Sequence, residues 1–447
     1  MYPSDFPQFQ TAAGTIVARR DGRVVRATGI RYARAKRFQY PEPEPVAASP
    51  IVATAPAPAC PQVADTRLEE VLGDLYQELT FSEDCLRLSV TLPADADPAE
   101  QLPVLVWVHG GSYVTGAGDL SIYDPTALVT EQRVVFVAVT YRLGLLGFLG
   151  GEGGTPPNLG LLDLLEALRW VQRNIAGLHG NPALVTLLGH SSGADAIAQL
   201  MLTAEASSLF RRVVLHSAPL GITRHRRAMS RAMVAAAGSL SALGAVGEVL
   251  ARESSVTKSV RRFGLKSGMP FGPQYGAPPL PPETAVEETW AAVAPQFDVL
   301  IGATAEETRF FAVIEPSLNR LQRLPLLGAP VVRLLTKLSS NAIYLHPAIA
   351  FARRHAQAGG RAYHFLVHFQ PMGSPFGAAH TIDLPLLLGT EASWAATPLL
   401  GQTKWAEFNE AARQVRQLWA GFARTGSLPA PVEVLGVLSL RQVSKAE

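Results

Sequence analysis

Short apolar runs alternate with longer mixed connections along much of the chain. Runs of about four to eight apolar or β-branched residues are typical of strands buried on both faces. They occur at 86–92, 104–108, 134–140 and 185–188, and further strand patterns lie at 213–216, 297–301 and 361–369. Before the fourth run, Leu161, Leu165, Leu168, Val171 and Ile175 repeat at helical spacing. This alternation predicts an α/β fold with a mostly parallel central sheet and helices on both faces.

The segments around these runs have other patterns. Residues 14–18 and 24–30 are β-compatible, and Asp21-Gly22 between them predicts a hairpin at an antiparallel edge. The Pro- and Ala-rich stretch 41–61 predicts an extended surface excursion, with a linker or disorder as alternatives. Residues 220–295 are first helical and then rich in Pro and Gly, which predicts a cap-like insertion in a single domain that spans 1–447. An amphipathic helix is expected at 405–424.

Composition places the chain among globular proteins. Of its 447 residues, 48% are hydrophobic and 17% charged, and 39 basic side chains nearly balance 37 acidic ones. A formal charge of +2 does not indicate a protein that binds nucleic acid or an anionic membrane through its net charge. No apolar run approaches the roughly 20 residues that span a bilayer. We therefore expect no membrane span, and a monomer or small homo-oligomer.

The N-terminus and the cysteines bear on the compartment. The first residues lack the basic-then-apolar pattern of a secretory signal, so we expect a cytoplasmic protein; a secreted one with a trimmed signal peptide is the alternative. Cys60 and Cys85 are too few for a disulfide scaffold and lack partners for a zinc site. They form either one disulfide or two free thiols.

The clearest chemical motif is Gly189-His190-Ser191-Ser192-Gly193, between the run at 185–188 and the helix-compatible residues 194–202. In a G-x-S-x-G nucleophile elbow, the serine occupies a strained turn between a strand and a helix. The glycines leave room for the backbone that crosses the turn. Ser191 is therefore the candidate nucleophile, and an ordinary strand-to-helix turn is the alternative.

A serine nucleophile needs a base, and the base needs an orienting acid. Of the seven histidines that follow Ser191, His380 differs because it lies in a loop-like stretch, 376–381, ahead of an apolar run. The acid is expected after the strand pattern that ends near residue 304, because open α/β sheets carry their chemistry at strand carboxyl ends. Glu306 and Glu307 both qualify there, and both could instead complement the N-terminus of the next helix.

Donors for an oxyanion are expected after the strand at 104–108. The segment His109-Gly110-Gly111-Ser112-Tyr113 contains small residues that let backbone N–H groups turn toward a developing negative charge. An ordinary glycine-rich turn is the alternative. The order of this segment, the elbow, the acid and the histidine is the one that an α/β-hydrolase requires.

Further motifs resemble the type B carboxylesterases, a family that includes bacterial p-nitrobenzyl esterases and the cholinesterases. The residues that carry the resemblance are Glu83-Asp84-Cys85-Leu86, Tyr141-Arg142-Leu143-Gly144, Gly147-Phe148-Leu149 and Asn158-Leu159-Gly160-Leu161-Leu162-Asp163, together with the elbow. The resemblance spans roughly residues 14–425, and taken together these motifs are highly specific.

The resemblance implies an α/β-hydrolase fold and a bacterial serine carboxylic ester hydrolase. Its substrates would be short to medium or aromatic esters, cleaved through an acyl-enzyme with no metal or organic cofactor. Carried over by position, it implies the nucleophile Ser191, the acid Glu307 and the base His380. It also implies oxyanion donors from the backbone of Gly111, Ser112 and Ser192, and a disulfide between Cys60 and Cys85.

Several positions depart from the family pattern. His190 stands where the family usually has Glu, and Ser112 stands where it has the third glycine of the oxyanion segment. Two other functions compete with an esterase: a non-catalytic cholinesterase-like binding protein, and a lipase acting at an oil interface. We expect no lipase lid near 223–251, because no amphipathic helix with exposed aromatic residues is evident there.

Overall fold

The computed structural model of this chain describes residues 5–77, 79–150, 155–240 and 244–445. Its strands, in chain order, are β1 (Gln8–Thr11), β2 (Gly14–Val17), β3 (Arg19–Asp21), β4 (Val24–Arg31), β5 (Ala33–Arg34), β6 (Glu42–Pro43), β7 (Ile51–Val52), β8 (Arg87–Pro93), β9 (Leu102–Val108), β10 (Val135–Val139), β11 (Gly180–His190), β12 (Arg212–His216), β13 (Asp298–Thr304), β14 (Arg361–Val367), β15 (Val432–Val434) and β16 (Leu438–Gln442). Its helices are α1 (Thr66–Leu72), α2 (Thr126–Gln132), α3 (Gly144–Phe148), α4 (Leu159–Asn174), α5 (Ser192–Leu200), α6 (Ala206–Leu209), α7 (Arg227–Ala237), α8 (Val246–Ser259), α9 (Val286–Val293), α10 (Arg309–Ile314), α11 (Pro316–Gln322), α12 (Gly328–Ser340), α13 (His346–Gln357), α14 (Glu391–Trp394) and α15 (Trp405–Thr425).

The largest sheet in the described part of the chain has eleven strands in the order β15-β16-β14-β13-β12-β11-β9-β10-β8-β4-β3. Its middle, from β14 to β10, is parallel, and antiparallel pairs extend it at both edges. Strand β9 lies between β10 and β11, with Val104 opposite both Val135 and Val185. The predicted parallel core is therefore confirmed, and the antiparallel strands make the whole sheet mixed.

Burial on both faces explains the continuous apolar runs. Every residue of β9 is buried, and its side chains alternate between two cores. Val104 and Val106 join the core that contains side chains of α4 and α5, whereas Leu105 and Trp107 join the core that contains side chains of α2 and α15. Helices thus cover both faces of the sheet, as the sequence pattern predicts.

The predicted N-terminal hairpin is present. Asp21 pairs with Val24 across the turn between β3 and β4. Within the Pro-rich excursion, Ile51 and Val52 form β7, which pairs in parallel with β2. That stretch is therefore extended, as predicted.

The connection from β12 to β13 carries α7, α8, a 3₁₀ segment at Arg261–Gly268 and α9. It covers the residues for which a cap-like insertion is expected, except 241–243, which lie outside the described residues. Val249 and Val256 of α8 pack into the same core as α4 and α5. The single-domain assignment with a distinct cap remains a prediction. In the described ranges, no helix is both long enough and apolar enough to cross a membrane.

Candidate active site

The turn between β11 and α5 has the geometry of a nucleophile elbow. Ser191 adopts φ 55° and ψ −124°, a conformation that side-chain-bearing residues rarely hold without support. Its N–H donates to the carbonyl oxygen of His216 at 2.8 Å. A Cβ atom on Gly193 would lie 2.1 Å from the carbonyl oxygen of Val108, so that position has room only for glycine. The neighbouring strand thus fixes the turn that presents Ser191.

His380 and Glu307 come together at the same edge of the sheet. Glu307 follows β13 and His380 follows β14, and Nδ1 of His380 lies 2.5 Å from Oε2 of Glu307. The other carboxylate oxygen of Glu307 accepts the N–H of Thr304 at 2.7 Å. The backbone N–H of His380 also donates to the carbonyl oxygen of Glu307, at 3.1 Å. Both side chains are buried, so these bonds fix the orientation of the imidazole.

The structure separates the two acids that the sequence leaves open. Glu306 pairs with Arg309, with 2.8 Å between Oε2 and Nη1, and its Oε2 also accepts the N–H of Ala378 at 3.3 Å. Only Glu307, of the two, reaches a histidine ring. The carboxylate that the family resemblance implies is therefore the one in contact with His380.

Ser191 and His380 both line one cavity of about 930 Å³. Gly110, Gly111 and Ser112 also line it. The His380 ring packs against aromatic walls, with ring centroids 5.3 Å away at Tyr344 and 5.9 Å away at Phe311. No hydrogen bond between described residues joins the Ser191 hydroxyl to the His380 ring, and in ligand-free sites this bond often forms only with substrate.

The segment after β9 contains three consecutive residues with positive φ. Gly111, Ser112 and Tyr113 have φ values of 112°, 55° and 62°. Ser112 therefore adopts, as a serine, the positive φ that glycine adopts most readily. Within the described ranges, the N–H groups of Gly111, Ser112 and Ser192 donate to no protein acceptor. They remain available to a ligand in the cavity.

Tyr113 anchors this segment to α5. Its hydroxyl donates to Oδ2 of the buried Asp195 at 2.7 Å, and its N–H donates to Oγ of Ser192 at 3.3 Å. Burial raises the pKa of Asp195, although its hydrogen bonds to Tyr113 and Gln199 oppose the shift. These bonds fix the distance between the glycine segment and the elbow.

A second buried histidine–carboxylate pair lies beside the first. Nδ1 of His216, at the end of β12, lies 2.6 Å from Oδ2 of Asp383. On the other side of the ring, Nε1 of Trp419 donates to Nε2 of His216 at 2.7 Å. His190 approaches the same carboxylate, with 3.5 Å between its Nε2 and Oδ1 of Asp383. The ring centroid of His190 also lies 4.6 Å from that of His380, so this network touches the candidate base.

Charge in this network is set by burial and by the two imidazoles. Burial alone would raise the pKa of Asp383, but His190 and His216 outweigh it and hold the pKa well below the ordinary 3.8. Burial lowers the pKa of His190, and the Asp383 charge opposes this shift. The position that usually carries a family glutamate thus holds an imidazole backed by a carboxylate.

Sequence reasoning missed Asp383 and Glu253. Asp383 is a single acid inside the apolar run 382–388, and a lone charge in a buried run is a usable signal. Glu253 on α8 lines the cavity and accepts the N–H of Leu145 at 2.9 Å. Burial raises its pKa to about 7. No sequence pattern marks Glu253, since its position on α8 resembles an ordinary polar one.

The two cysteines are neighbours in the core. Both are free thiols and fully buried, so the structure does not contain the disulfide that the resemblance implies. A hydrogen bond to Cys60 and burial raise the pKa of the Cys85 thiol. The two thiols are in contact, and a disulfide between Cys60 and Cys85 stays a prediction. In the part of the chain that the structure describes, no cluster of three or more His, Cys, Asp or Glu side chains could hold a metal ion.

Comparisons with known proteins give the family. The model of the carboxylesterase family matches residues 8–323. The chain is 36% identical to the Rhodococcus erythropolis protein named "Probable N-octanoylanthranilate hydrolase", over 90% of this chain and 89% of the relative. It is 30% identical to the para-nitrobenzyl esterase of Bacillus subtilis (strain 168), over 93% of this chain and 89% of the relative.

Solved structures agree with this assignment. A thermophilic PNB esterase superposes with a TM-score of 0.80 at 27% identity, covering 96% of this chain and 93% of that one. The α/β-hydrolase fold and the ester-cleaving chemistry expected from the sequence are thereby confirmed. The chain belongs to the carboxylesterase family and is an enzyme that acts on carboxylic esters.

Proposed function

We propose that this enzyme hydrolyses carboxylic esters with Ser191 as nucleophile, His380 as base and Glu307 as the acid that orients the base. The observation that carries the proposal is the contact of 2.5 Å between His380 and Glu307, with Ser191 on the same cavity. A hydroxyl is a weak nucleophile unless a positioned base removes its proton. The strained turn at Ser191 supports the same assignment, because it presents the hydroxyl above the sheet.

In the first step, Oγ of Ser191 attacks the ester carbonyl carbon while Nε2 of His380 accepts the hydroxyl proton. Glu307 holds Nδ1–H of the ring and stabilises the imidazolium that forms. The carbonyl oxygen becomes an oxyanion, for which the backbone N–H groups of Gly111, Ser112 and Ser192 are the donors. Each such donor typically contributes on the order of 3 kcal/mol to the transition state.

Collapse of this intermediate breaks the bond to the alcohol oxygen. His380 returns the proton to that oxygen, and the alcohol leaves an acyl group on Ser191. A water molecule then attacks the acyl carbon, giving its proton to His380, and the second collapse releases the acid and restores the serine. Each half of the cycle uses the same base and the same oxyanion donors.

The apolar lining of the cavity supports the proposal that the acyl group is apolar and of short to medium length, or aromatic. Its volume of about 930 Å³ lies toward the upper end of the range for small-molecule sites. Phe310, Phe311 and Tyr344 line it close to His380. The relative from Rhodococcus erythropolis is named for a substrate with an octanoyl group, which fits a cavity of this kind.

The first experiment measures hydrolysis of p-nitrophenyl esters from acetate to decanoate by the wild type and by Ser191→Ala. We expect the variant to lose activity by about 10⁶-fold, because the nucleophile is gone. Ser254→Ala is the matched control, since Ser254 lines the same cavity and, in the described residues, forms no hydrogen bond with His380 or with the segment 109–113. Thermal melts of both variants test that they remain folded.

Intact mass after treatment with a fluorophosphonate probe completes the test. Labelling of the wild type but not of Ser191→Ala supports the nucleophile. Full activity in Ser191→Ala would refute it. A folded wild type with neither labelling nor turnover would favour a non-catalytic binding protein.

A further inference from the structure

An exposed apolar face borders the cavity on α11, α12 and the turn between them. Eight of the sixteen large apolar side chains that are exposed in the described residues lie between Phe311 and Leu338. Leu326 is 93% exposed and Leu327 is 72% exposed. Monomeric proteins rarely leave contiguous apolar patches of this kind in water, and such patches usually mark a contact surface.

The orientation of α12 is fixed with its leucines outward. Val331, Leu334, Leu335 and Leu338 form an exposed stripe at helical spacing, whereas Val332 on another face is buried. Thr308 holds the inner side, because its N–H donates to Oγ of Ser340 at 3.0 Å and its hydroxyl donates to the carbonyl oxygen of Thr336 at 2.9 Å. Rotation of α12 to bury the stripe would break these bonds.

The same segment is strongly basic. No Asp or Glu occurs between Glu315 and Asp383, although the whole chain has 37 acidic residues. Residues 316–340 carry four cations, and in the described part of the chain none of them forms an ion pair: Arg320, Arg323, Arg333 and Lys337. The overall charge of +2 therefore hides a local excess of positive charge on an apolar face.

A second segment that lines the cavity has the same combination of cations and an exposed leucine. The segment 258–268 contains Lys258, Arg261, Arg262 and Lys266, and its Leu265 is 57% exposed. Leu265 and Leu335 are both exposed and both line the cavity, so the two segments border its opening to solvent. The exposed side chains of 258–268 and 316–340 are together named the entrance surface.

We propose that the entrance surface docks on an anionic lipid bilayer, with the cavity opening toward it. Outward leucines flanked by unpaired cations are the features of helices that lie in a membrane interface. A second copy of the chain fits less well, because a symmetric contact would bring the same unpaired cations against one another. This docking goes beyond ester hydrolysis and requires no turnover.

The test is co-sedimentation of the Ser191→Ala protein with vesicles of phosphatidylcholine alone or of equimolar phosphatidylcholine and phosphatidylglycerol. The serine variant prevents any lipid cleavage during the measurement. We expect binding to the anionic vesicles and much weaker binding to the neutral ones. Raising salt from about 0.1 M to about 1 M should weaken the anionic binding, because the screening length falls from about 10 Å to about 3 Å.

Two sets of substitutions separate charge from apolar contact. Arg333→Gln with Lys337→Gln should weaken binding by about fivefold per charge removed. Leu326→Gln with Leu334→Gln and Leu338→Gln should weaken it at least about tenfold, since their apolar area no longer enters the interface. The matched controls are Leu435→Gln, at a residue 92% exposed on the β15–β16 hairpin, and Lys36→Gln with Lys445→Gln. Neither control should change binding.

Absence of binding by the parent protein, or equal binding by the parent and the leucine variant, would overturn the proposal. A dimer in light scattering that the leucine substitutions convert to a monomer would also overturn it, by assigning the face to a second copy. Turnover of p-nitrophenyl acetate by otherwise wild-type protein carrying these substitutions is measured in parallel. Loss of vesicle binding with normal turnover separates this surface from the proposed triad.

Discussion

Two buried histidine–carboxylate pairs lie side by side at the carboxyl edge of the sheet. In both, Nδ1 of the imidazole contacts a carboxylate oxygen, at 2.5 Å for His380 and Glu307 and at 2.6 Å for His216 and Asp383. They differ in what faces the other ring nitrogen. Nε2 of His216 accepts the indole N–H of Trp419, whereas no described residue forms a hydrogen bond with Nε2 of His380, whose ring lines the cavity.

This difference decides what each pair can do. An indole N–H can only donate, so His216 must keep Nε2 unprotonated and its proton on Nδ1. Both ring nitrogens of His216 are thereby occupied by protein partners, so the ring is not placed to exchange a proton with a substrate. His380 has the same carboxylate support, but its Nε2 has no hydrogen-bond partner among the described residues and is the proposed acceptor of the Ser191 proton. A histidine–carboxylate contact alone does not identify a base; the environment of the second nitrogen does.

Replacing each histidine by glutamine gives the largest expected difference between the two pairs. His380→Gln should lower kcat on the order of 10⁵-fold, because the proposed base for the Ser191 proton is gone. His216→Gln should keep activity within about tenfold while costing about 2 kcal/mol of unfolding free energy from its lost bonds. Steady-state kinetics and urea unfolding of the two variants measure both effects. Equal losses of activity would remove the distinction between the pairs.

Glu307→Gln tests the orienting carboxylate. The amide can still accept the Thr304 N–H, but its NH₂ would face Nδ1 of His380 and favour the tautomer whose Nε2 carries the proton. We expect kcat to fall by about 10⁴-fold while the fold is retained.

Glu306→Gln is the matched control for this prediction. It removes a neighbouring carboxylate whose partner is Arg309 on the surface of α10. Its kcat should stay within about twofold of the wild type, since Glu306 does not touch His380. A large loss in Glu306→Gln and none in Glu307→Gln would reverse the assignment of the acid.

The sequence predicts the part of this site that depends on local pattern. Burial on both faces makes β9 and β11 continuously apolar, and the glycines around Ser191 mark a turn that other residues cannot form. The choice between Glu306 and Glu307 depends on how the turn after β13 directs two adjacent side chains, which local pattern does not encode. The contact between His216 and Asp383 joins positions 167 residues apart. No sequence prediction covers the outward apolar stripe of α12, whose orientation depends on the bonds from Thr308 to Ser340 and Thr336.

Asp383→Asn tests how much the charge of the second pair contributes to the free energy of unfolding, and how this contribution depends on pH. The amide oxygen can still accept the His216 Nδ1–H, but the charge is lost, and we expect about 2 kcal/mol of destabilisation near neutral pH. The pKa of Asp383 is held well below 3.8 in the folded protein. Its charge therefore contributes stability above about pH 4, and this contribution is lost as pH falls below that value.

Urea unfolding of the wild type and Asp383→Asn across pH measures this dependence. The two curves should be separated at pH 5 to about 8 and should converge as the pH falls below about 4. A separation that grows toward acid would contradict a depressed pKa at Asp383. The activity of the variant should fall less than that of Glu307→Gln, because the carboxylate that holds His380 remains.

Trp419→Phe produces the smallest expected effect and tests the bond that distinguishes the two histidines. The substitution removes the donor to Nε2 of His216 and also some buried volume, so its cost alone would not isolate the bond. Trp107→Phe is the matched control, because Trp107 is equally buried in the same core and its indole N–H has no hydrogen-bond partner in the described structure. We expect Trp419→Phe to cost about 1 kcal/mol more than Trp107→Phe in urea unfolding.

Equal costs in the two variants would show that the Trp419 indole contributes no hydrogen bond to Nε2 of His216. The contrast with His380 would then rest on cavity access alone.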